Sequence, residues 1–126
     1  MERKKKVLII DDEVDFTKMV KLNLEETGKY EVKAENSGSQ GVAAAKAFRP
    51  DVILLDIIMP DMEGSEVASH LRGDKDLKDI PIIFVTAALT REENITQGGV
   101  IGGHAFLAKP VGLDELISCI EGHTSK

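Results

Sequence analysis

Cysteine is nearly missing from the 126-residue chain: Cys119 stands alone, so no internal disulfide can form, and a reducing cytoplasmic setting is expected. A basic excess is missing as well. Lys and Arg number 16 against 22 Asp and Glu, and the net charge of −6 speaks against direct nucleic-acid binding. No apolar run approaches the ~20 residues that cross a bilayer, so membrane insertion is not expected. Met1-Glu2-Arg3-Lys4-Lys5-Lys6 is followed by only four apolar residues, too short a stretch for a signal peptide. Internal repeats, low-complexity tracts and linkers are also lacking. At ~150 residues per domain the length predicts one domain and no second. It spans residues 1–126, with its core over 5–122. Such a chain buries roughly two thirds of its unfolded surface and needs no disulfide or metal to fold.

What is present is an alternation. Val7-Leu8-Ile9-Ile10, Asp51-Val52-Ile53-Leu54-Leu55-Asp56-Ile57, residues 80–88 and Ala105-Phe106-Leu107-Ala108 are near-continuous apolar runs, as in strands buried on both faces. Residues 30–36 alternate Tyr30, Val32 and Ala34 with charged neighbours, which predicts an edge strand with one wet face. Between the runs lie helical stripes. They are Phe16, Met19, Val20 and Leu24 with Gly28 as a stop; Val42, Ala45 and Phe48 before Pro50; Val67 and Leu71; and Leu113, Leu116, Ile117 and Ile120 with Gly122 as a C-cap. Residues 91–103 carry Gly98, Gly99, Gly102 and Gly103, each costing a helix about 1 kcal/mol relative to alanine. A short helix over 92–97 and then an irregular connection are expected there. The order is (βα)5, an α/β chain with one doubly wound, five-stranded parallel sheet and helices on both faces.

In such a sheet the ligand site lies outside the carboxyl ends of the strands. The first run ends in Asp11 and Asp12, the third delivers Asp56, the fourth carries Thr86, and the fifth is followed at once by Lys109-Pro110. Three carboxylates in one cleft raise one another's pKa values unless a cation is present. Oxygen ligands suit Mg²⁺, which takes one or two carboxylates plus a phosphate oxygen. One carboxylate is then placed to act as a nucleophile toward a phosphoryl group, with the metal, Lys109 and the Thr86 hydroxyl offsetting the transferring charge. Taken singly, each residue has a plainer reading. An Asp after a strand is a turn residue, Asp12 or Glu13 is a helix N-cap, and a lone Lys is a solvated charge. All five together at one sheet edge fit that plainer reading poorly.

Over nearly its whole length the chain resembles the receiver domain of two-component response regulators. The likeness rests on Val7-Leu8-Ile9-Ile10-Asp11-Asp12-Glu13, on Pro50-Asp51-Val52-Ile53-Leu54-Leu55-Asp56-Ile57-Ile58-Met59-Pro60 with Gly64 after it, on Pro81-Ile82-Ile83-Phe84-Val85-Thr86-Ala87 and on Phe106-Leu107-Ala108-Lys109-Pro110. The resemblance implies a flavodoxin-like fold with strand order 2-1-3-4-5. It implies that Asp56 accepts the phosphoryl group, that Asp12, Asp56 and the backbone carbonyl of Ile58 bind Mg²⁺ directly, and that Asp11 holds the ion mainly through water. Mn²⁺ or Ca²⁺ could take its place. Thr86 and Lys109 would contact the phosphoryl oxygens. Phe106 is the aromatic that turns inward when the threonine moves, with the small Ala87 leaving it room, and Lys109–Pro110 is expected to be cis. The implied donor is a phosphohistidine on a histidine kinase or histidine phosphotransfer protein. The implied output is altered binding of a downstream protein, with a phosphorylation-dependent homodimer as a further expectation. The domain is expected to catalyse its own Mg²⁺-dependent phosphorylation and slow dephosphorylation, not to be a conventional enzyme.

The chain departs from the family pattern in places. His104-Ala105 replaces the acidic or polar pair that many members carry before the aromatic. Ile58 and Ala88 are both nonpolar, so neither can position an attacking water, and slow self-dephosphorylation is expected. Two other readings compete. One is a receiver-like docking module that is never phosphorylated. The other is a small aspartate-nucleophile phosphohydrolase, which would need a second Asp where Ile58 stands. The remaining features read as bland. Gly98-Gly99-Val100-Ile101-Gly102-Gly103 lacks the Gly-Lys-Ser/Thr ending of a phosphate loop. Arg3-Lys4-Lys5-Lys6 is a solvated tail, and Asn94-Ile95-Thr96 is a chance sequon. His70, His104 and His123 are too scattered for a metal motif, Cys119 fills core, and Phe16, Phe48 and Phe84 are core by spacing.

Overall fold

Successive residues of a strand point to opposite faces, so an apolar run covered on both sides feeds two cores. A computed structural model of the chain describes residues 3–87, 100–101 and 104–124, and shows this division. The elements are β1 (Lys5–Ile10), α1 (Val14–Glu26), β2 (Tyr30–Glu35), α2 (Gly38–Phe48), β3 (Val52–Leu55), α3 (Gly64–Arg72), β4 (Ile82–Thr86), β5 (Val100–Ile101), β6 (His104–Ala108) and α4 (Leu113–Thr124). From β1, Leu8 and Ile10 join Ile53, Leu55, Phe84 and Phe106 beneath α2 and α3. Their neighbours Val7 and Ile9 join Val52, Leu54, Ile83, Val85 and Leu107 beneath α1 and α4. Each fully buried Leu or Ile contributes about 2 kcal/mol.

The five long strands are parallel in the expected order, β2-β1-β3-β4-β6. β2 is the edge strand foreseen, with Tyr30 and Val32 buried and Glu31 exposed. Val100 and Ile101, expected in an irregular connection, form the two-residue β5, antiparallel to β6 at the other edge. Two backbone-paired residues suffice for this and leave almost no periodic trace. The helix expected over 92–97 lies outside the described residues, as do the sequon and Ala88.

The helices follow their stripes with one correction. Gly122 does not end the last helix, which runs on to Thr124. There the Thr124 hydroxyl donates to the Ile120 carbonyl at 2.7 Å and accepts from Lys5 Nζ at 2.7 Å, tying down the turn that glycine weakens. Gly28, with φ +77, does follow the end of α1.

The strand register sets the site. Ile10 pairs with Leu55, so the residues that follow, Asp11 and Asp56, emerge side by side, and Asp56 N donates to the Ile10 carbonyl at 3.0 Å. Thr86 pairs with Ala108, which brings Lys109 next to it, and Lys109 N donates to the Thr86 carbonyl at 2.9 Å.

Candidate functional site

Each candidate side chain leaves the carboxyl end of a different strand or the residue after it. Asp11 follows β1, Asp56 follows β3, Thr86 ends β4 and Lys109 follows β6. Asp11, Asp56 and Thr86 are buried, while Asp12 is exposed at the rim. Asp12, Asp56, Ile58, Thr86 and Lys109, with Glu13 and Ala87, line one depression of about 360 Å³. Carboxylate oxygens of Asp11, Asp12 and Asp56 lie within 4.8 Å of one another. The Lys109–Pro110 bond is cis, as expected. Phe106 is buried in the α2/α3 core, with Phe84 on β4 as its cross-strand neighbour, so the ring already occupies an inward position.

The electrostatics are unbalanced. Two carboxylates at that spacing repel by on the order of 3 kcal/mol at an effective dielectric constant of 20. Lys109 Nζ answers them from 2.8 Å to Asp11 Oδ2 and 3.9 Å to Asp56 Oδ2. One ammonium against three carboxylates leaves two negative charges. Lys109 stands close to Asp11 Oδ2, but among the described residues no donor is well aligned on that buried oxygen, so the pair is held mainly by charge and the oxygen is incompletely satisfied. Burial pushes the Asp11 carboxyl above its ordinary value. Asp56 adds to the rise, and Lys109 and the Glu13 N–H only partly offset it. Burial pulls the Lys109 ammonium down, but the Asp11 and Glu13 carboxylates outweigh it and raise its pKa. An all-oxygen donor set, a twofold charge deficit and a buried acceptor without a directed donor fit a divalent cation.

Several residues of the site were not read from the sequence. Glu13 holds the N-cap position of α1, but its side chain makes no capping bond and reaches Lys109 instead. Asp11 Oδ1 takes over, accepting from Glu13 N at 2.9 Å. Phe16 and Phe48, expected in the core, do pack against the two cores but are only partly buried, each beneath an ammonium: at the site Lys109 Nζ lies 4.3 Å from the Phe16 ring, and at the other end of the sheet Lys6 Nζ lies 5.2 Å from Phe48. Phe84 is core. Asn36 donates to the Asp11 carbonyl at 2.8 Å and to Thr17 Oγ1 at 3.0 Å, fixing the end of β1. Gly64 packs so tightly that a Cβ there would stand 2.1 Å from the Asp56 carbonyl oxygen. The triplet Asp11-Asp12-Glu13 offered a signal for Glu13. Asn36 and Phe16 offered none, because their partners are distant in sequence. His70 and His123 are exposed, and Cys119 is half-buried at the edge of the α1/α4 core.

An acid cluster, a lysine and a threonine on the carboxyl edge of a 2-1-3-4-5 sheet define a class of signalling domain. The family model of the response regulator receiver domain matches residues 7–121, and the chain belongs to that family. It is similar to the polar-differentiation response regulator DivK of Brucella ovis, 35% identical over 121 residues that make up 94% of this chain and 95% of DivK. It is also 35% identical, over 113 residues, to the DNA-binding dual master transcriptional regulator RpaA of Synechocystis. That match takes 90% of this chain but 46% of RpaA, so the chain spans about half the length of that relative. Among solved structures, chemotaxis protein CheY4 of Vibrio cholerae superposes with a TM-score of 0.81 at 31% identity, covering 95% of this chain and 98% of CheY4. Receiver domains are signalling switches of two-component systems. Among the described residues no helix is long and apolar enough to cross a membrane.

Proposed function

We propose that this chain is a phosphoacceptor switch that takes a phosphoryl group from a phosphohistidine onto Asp56 and changes the surface it offers to a protein partner. The observation that carries this reading is the buried Asp56 carboxylate, set among two further acids, with the Lys109 ammonium 3.9 Å away. Asp56 Oδ attacks phosphorus, the P–N bond of the donor breaks, and its electron pair leaves on the imidazole nitrogen, which is then protonated from solvent. Asp12, Asp56 and the Ile58 carbonyl would hold Mg²⁺, with Asp11 acting mainly through water; the bound ion supplies charge neutralisation at the phosphoryl oxygens. Lys109 trades part of its attraction to Asp11 for a phosphoryl oxygen, and the Thr86 hydroxyl donates to another. Phe106 is already buried, so the phosphoryl group stabilises one of two arrangements of Thr86 and Phe106. The donor is a histidine kinase or histidine phosphotransfer protein in the cytoplasm. The acceptor of the signal is a protein or, on phosphorylation, a second copy of the chain.

Intact-mass analysis after incubation with a small phosphodonor tests this. The expected result is one added phosphoryl group with Mg²⁺, none in Asp56→Asn and none with chelator. Absence of the adduct on folded native protein would favour the constitutive docking module. Multiple turnover of a phosphomonoester would favour the phosphohydrolase.

A further inference from the structure

The segment between Asp56 and Gly64 carries both the phosphoacceptor and the Ile58 carbonyl, and it is pinned at three places. At its ends, Gly64 N donates to the Ile57 carbonyl at 2.7 Å, with the Gly64 backbone pressed against the Asp56 carbonyl. In the middle, Met59 is buried beneath α2 and α3. The third pin is Asp61, whose carboxylate reaches across to the start of α2. Its Oδ2 accepts from Ser37 Oγ at 2.6 Å and Ser39 N at 2.9 Å, and its Oδ1 accepts from Gly38 N at 3.1 Å.

Ser37 occupies the N-cap of α2 but makes no capping bond with its own side chain. Asp61 therefore does the capping from another loop, where a negative charge also meets the positive end of the helix dipole. The approach is close: a Cβ on Gly38 would stand 2.6 Å from the Met62 carbonyl oxygen. The Ser37 hydroxyl first, then the Ser39 donors, hold the Asp61 carboxyl well below the usual carboxylate range.

We infer that Asp61 is a positioning residue for the Asp56 centre, tethering the 57–63 segment to α2 so that the Ile58 carbonyl stays where a divalent cation needs it. A carboxylate that served α2 alone could sit at position 37; placed at 61, it fixes the loop as well as the helix. This deepens the proposed switch and rests on it for the ion and for the Ile58 carbonyl as one of its ligands.

Two variants separate tether from cap. Asp61→Ala removes both functions. Adding Ser37→Asp restores a local cap to α2 but not the tether. Thermal melting, amide exchange of Ile57, Ile58 and Met59 in chelator, and Mg²⁺ titration followed by backbone amide shifts are compared with native protein. Asp61→Ala is expected to lower the melting temperature, speed exchange at Ile57, Ile58 and Met59, and raise the Mg²⁺ half-saturation about tenfold, the scale seen when outer supports of metal sites are lost. The double variant is expected to recover the melting temperature and neither of the other two. Recovery of all three, or unchanged exchange and Mg²⁺ response in Asp61→Ala, would overturn the inference. A native protein that ignores Mg²⁺ and phosphodonor would refute the switch, and the exchange measured in chelator would still judge the tether.

Discussion

The two ends of the same sheet treat charge in opposite ways. At the amino end, Tyr30 donates from its hydroxyl to Glu121 Oε2 at 2.6 Å, and Lys5 Nζ donates to Glu121 Oε1 at 2.8 Å and Thr124 Oγ1 at 2.7 Å. The Glu121 carboxylate there has donors on both oxygens. At the carboxyl end, Asp11, Glu13 and Asp56 crowd Lys109, and among the described residues a buried Asp11 oxygen has no well-aligned donor. A satisfied network locks α4 to β1 and β2; an unsatisfied one leaves charge that a cation could offset. Polar residues that hold a fold together and polar residues poised for chemistry are thus told apart by whether their partners are complete, not by residue type.

The contrast can be broken at the charged end first. Gly64→Ala forces a methyl group against the Asp56 and Ile57 backbone, at 2.1 and 2.8 Å. We expect a loss of about 3 kcal/mol, or about 10 °C in thermal melting, together with a collapse of phosphoryl uptake. At the satisfied end, Tyr30→Phe removes one bond to a charged acceptor. Chemical denaturation should show a cost of about 1.5 kcal/mol with phosphoryl uptake unchanged.

The satisfied end also sets a pH dependence. Burial first, and Glu121 second, raise the Tyr30 pKa above its ordinary value. The folded state therefore keeps that proton longer than the unfolded chain. The stability it contributes is complete below the unfolded pKa of about 10 and is lost as pH rises beyond it toward the folded value. Tyr30→Phe should flatten that alkaline loss.

Asp11→Asn sharpens the comparison from the other side. It removes a repelling carboxylate at the cost of part of the attraction to Lys109. In chelator we expect a gain of about 1 kcal/mol, and in Mg²⁺ a loss of the stabilisation that the ion gives native protein. The smallest effect on folding belongs to Ile58→Asn at an exposed position, within about 0.5 kcal/mol. Its effect should lie in the lifetime of the phosphorylated form, shortened about tenfold or more if the amide positions a water. An unchanged decay of the mass adduct would remove Ile58 from any role in that lifetime.

Much of this molecule was legible without coordinates. Continuous runs such as Val7-Leu8-Ile9-Ile10 announce strands covered on both faces, and the alternation about Val32 announces the edge. The residue types at the strand ends marked the acid cluster, because an open parallel sheet collects its chemistry there. The structure departs from the local signals where a long-range contact outweighs a local preference. Gly122 failed to end α4 because Thr124 and Lys5 tie the last turn. Of the two cap candidates, Asp12 and Glu13, Glu13 does take the N-cap position of α1, but Lys109 claims its side chain from 96 residues away.

The alternation of strand and helix, the two-sided burial of the sheet and the kinds of side chain at its carboxyl edge are written in the order of residues alone. These follow from short periods and local propensities, which any stretch of ten residues already expresses. Tertiary structure decided the register that sets Asp11 beside Asp56, the closure of Tyr30 onto Glu121 across 91 residues, and the capping of α2 by Asp61 across 24. A hydrogen bond needs its partners within a few tenths of an ångström, and over such separations only the packed sheet and its helices hold them to that tolerance.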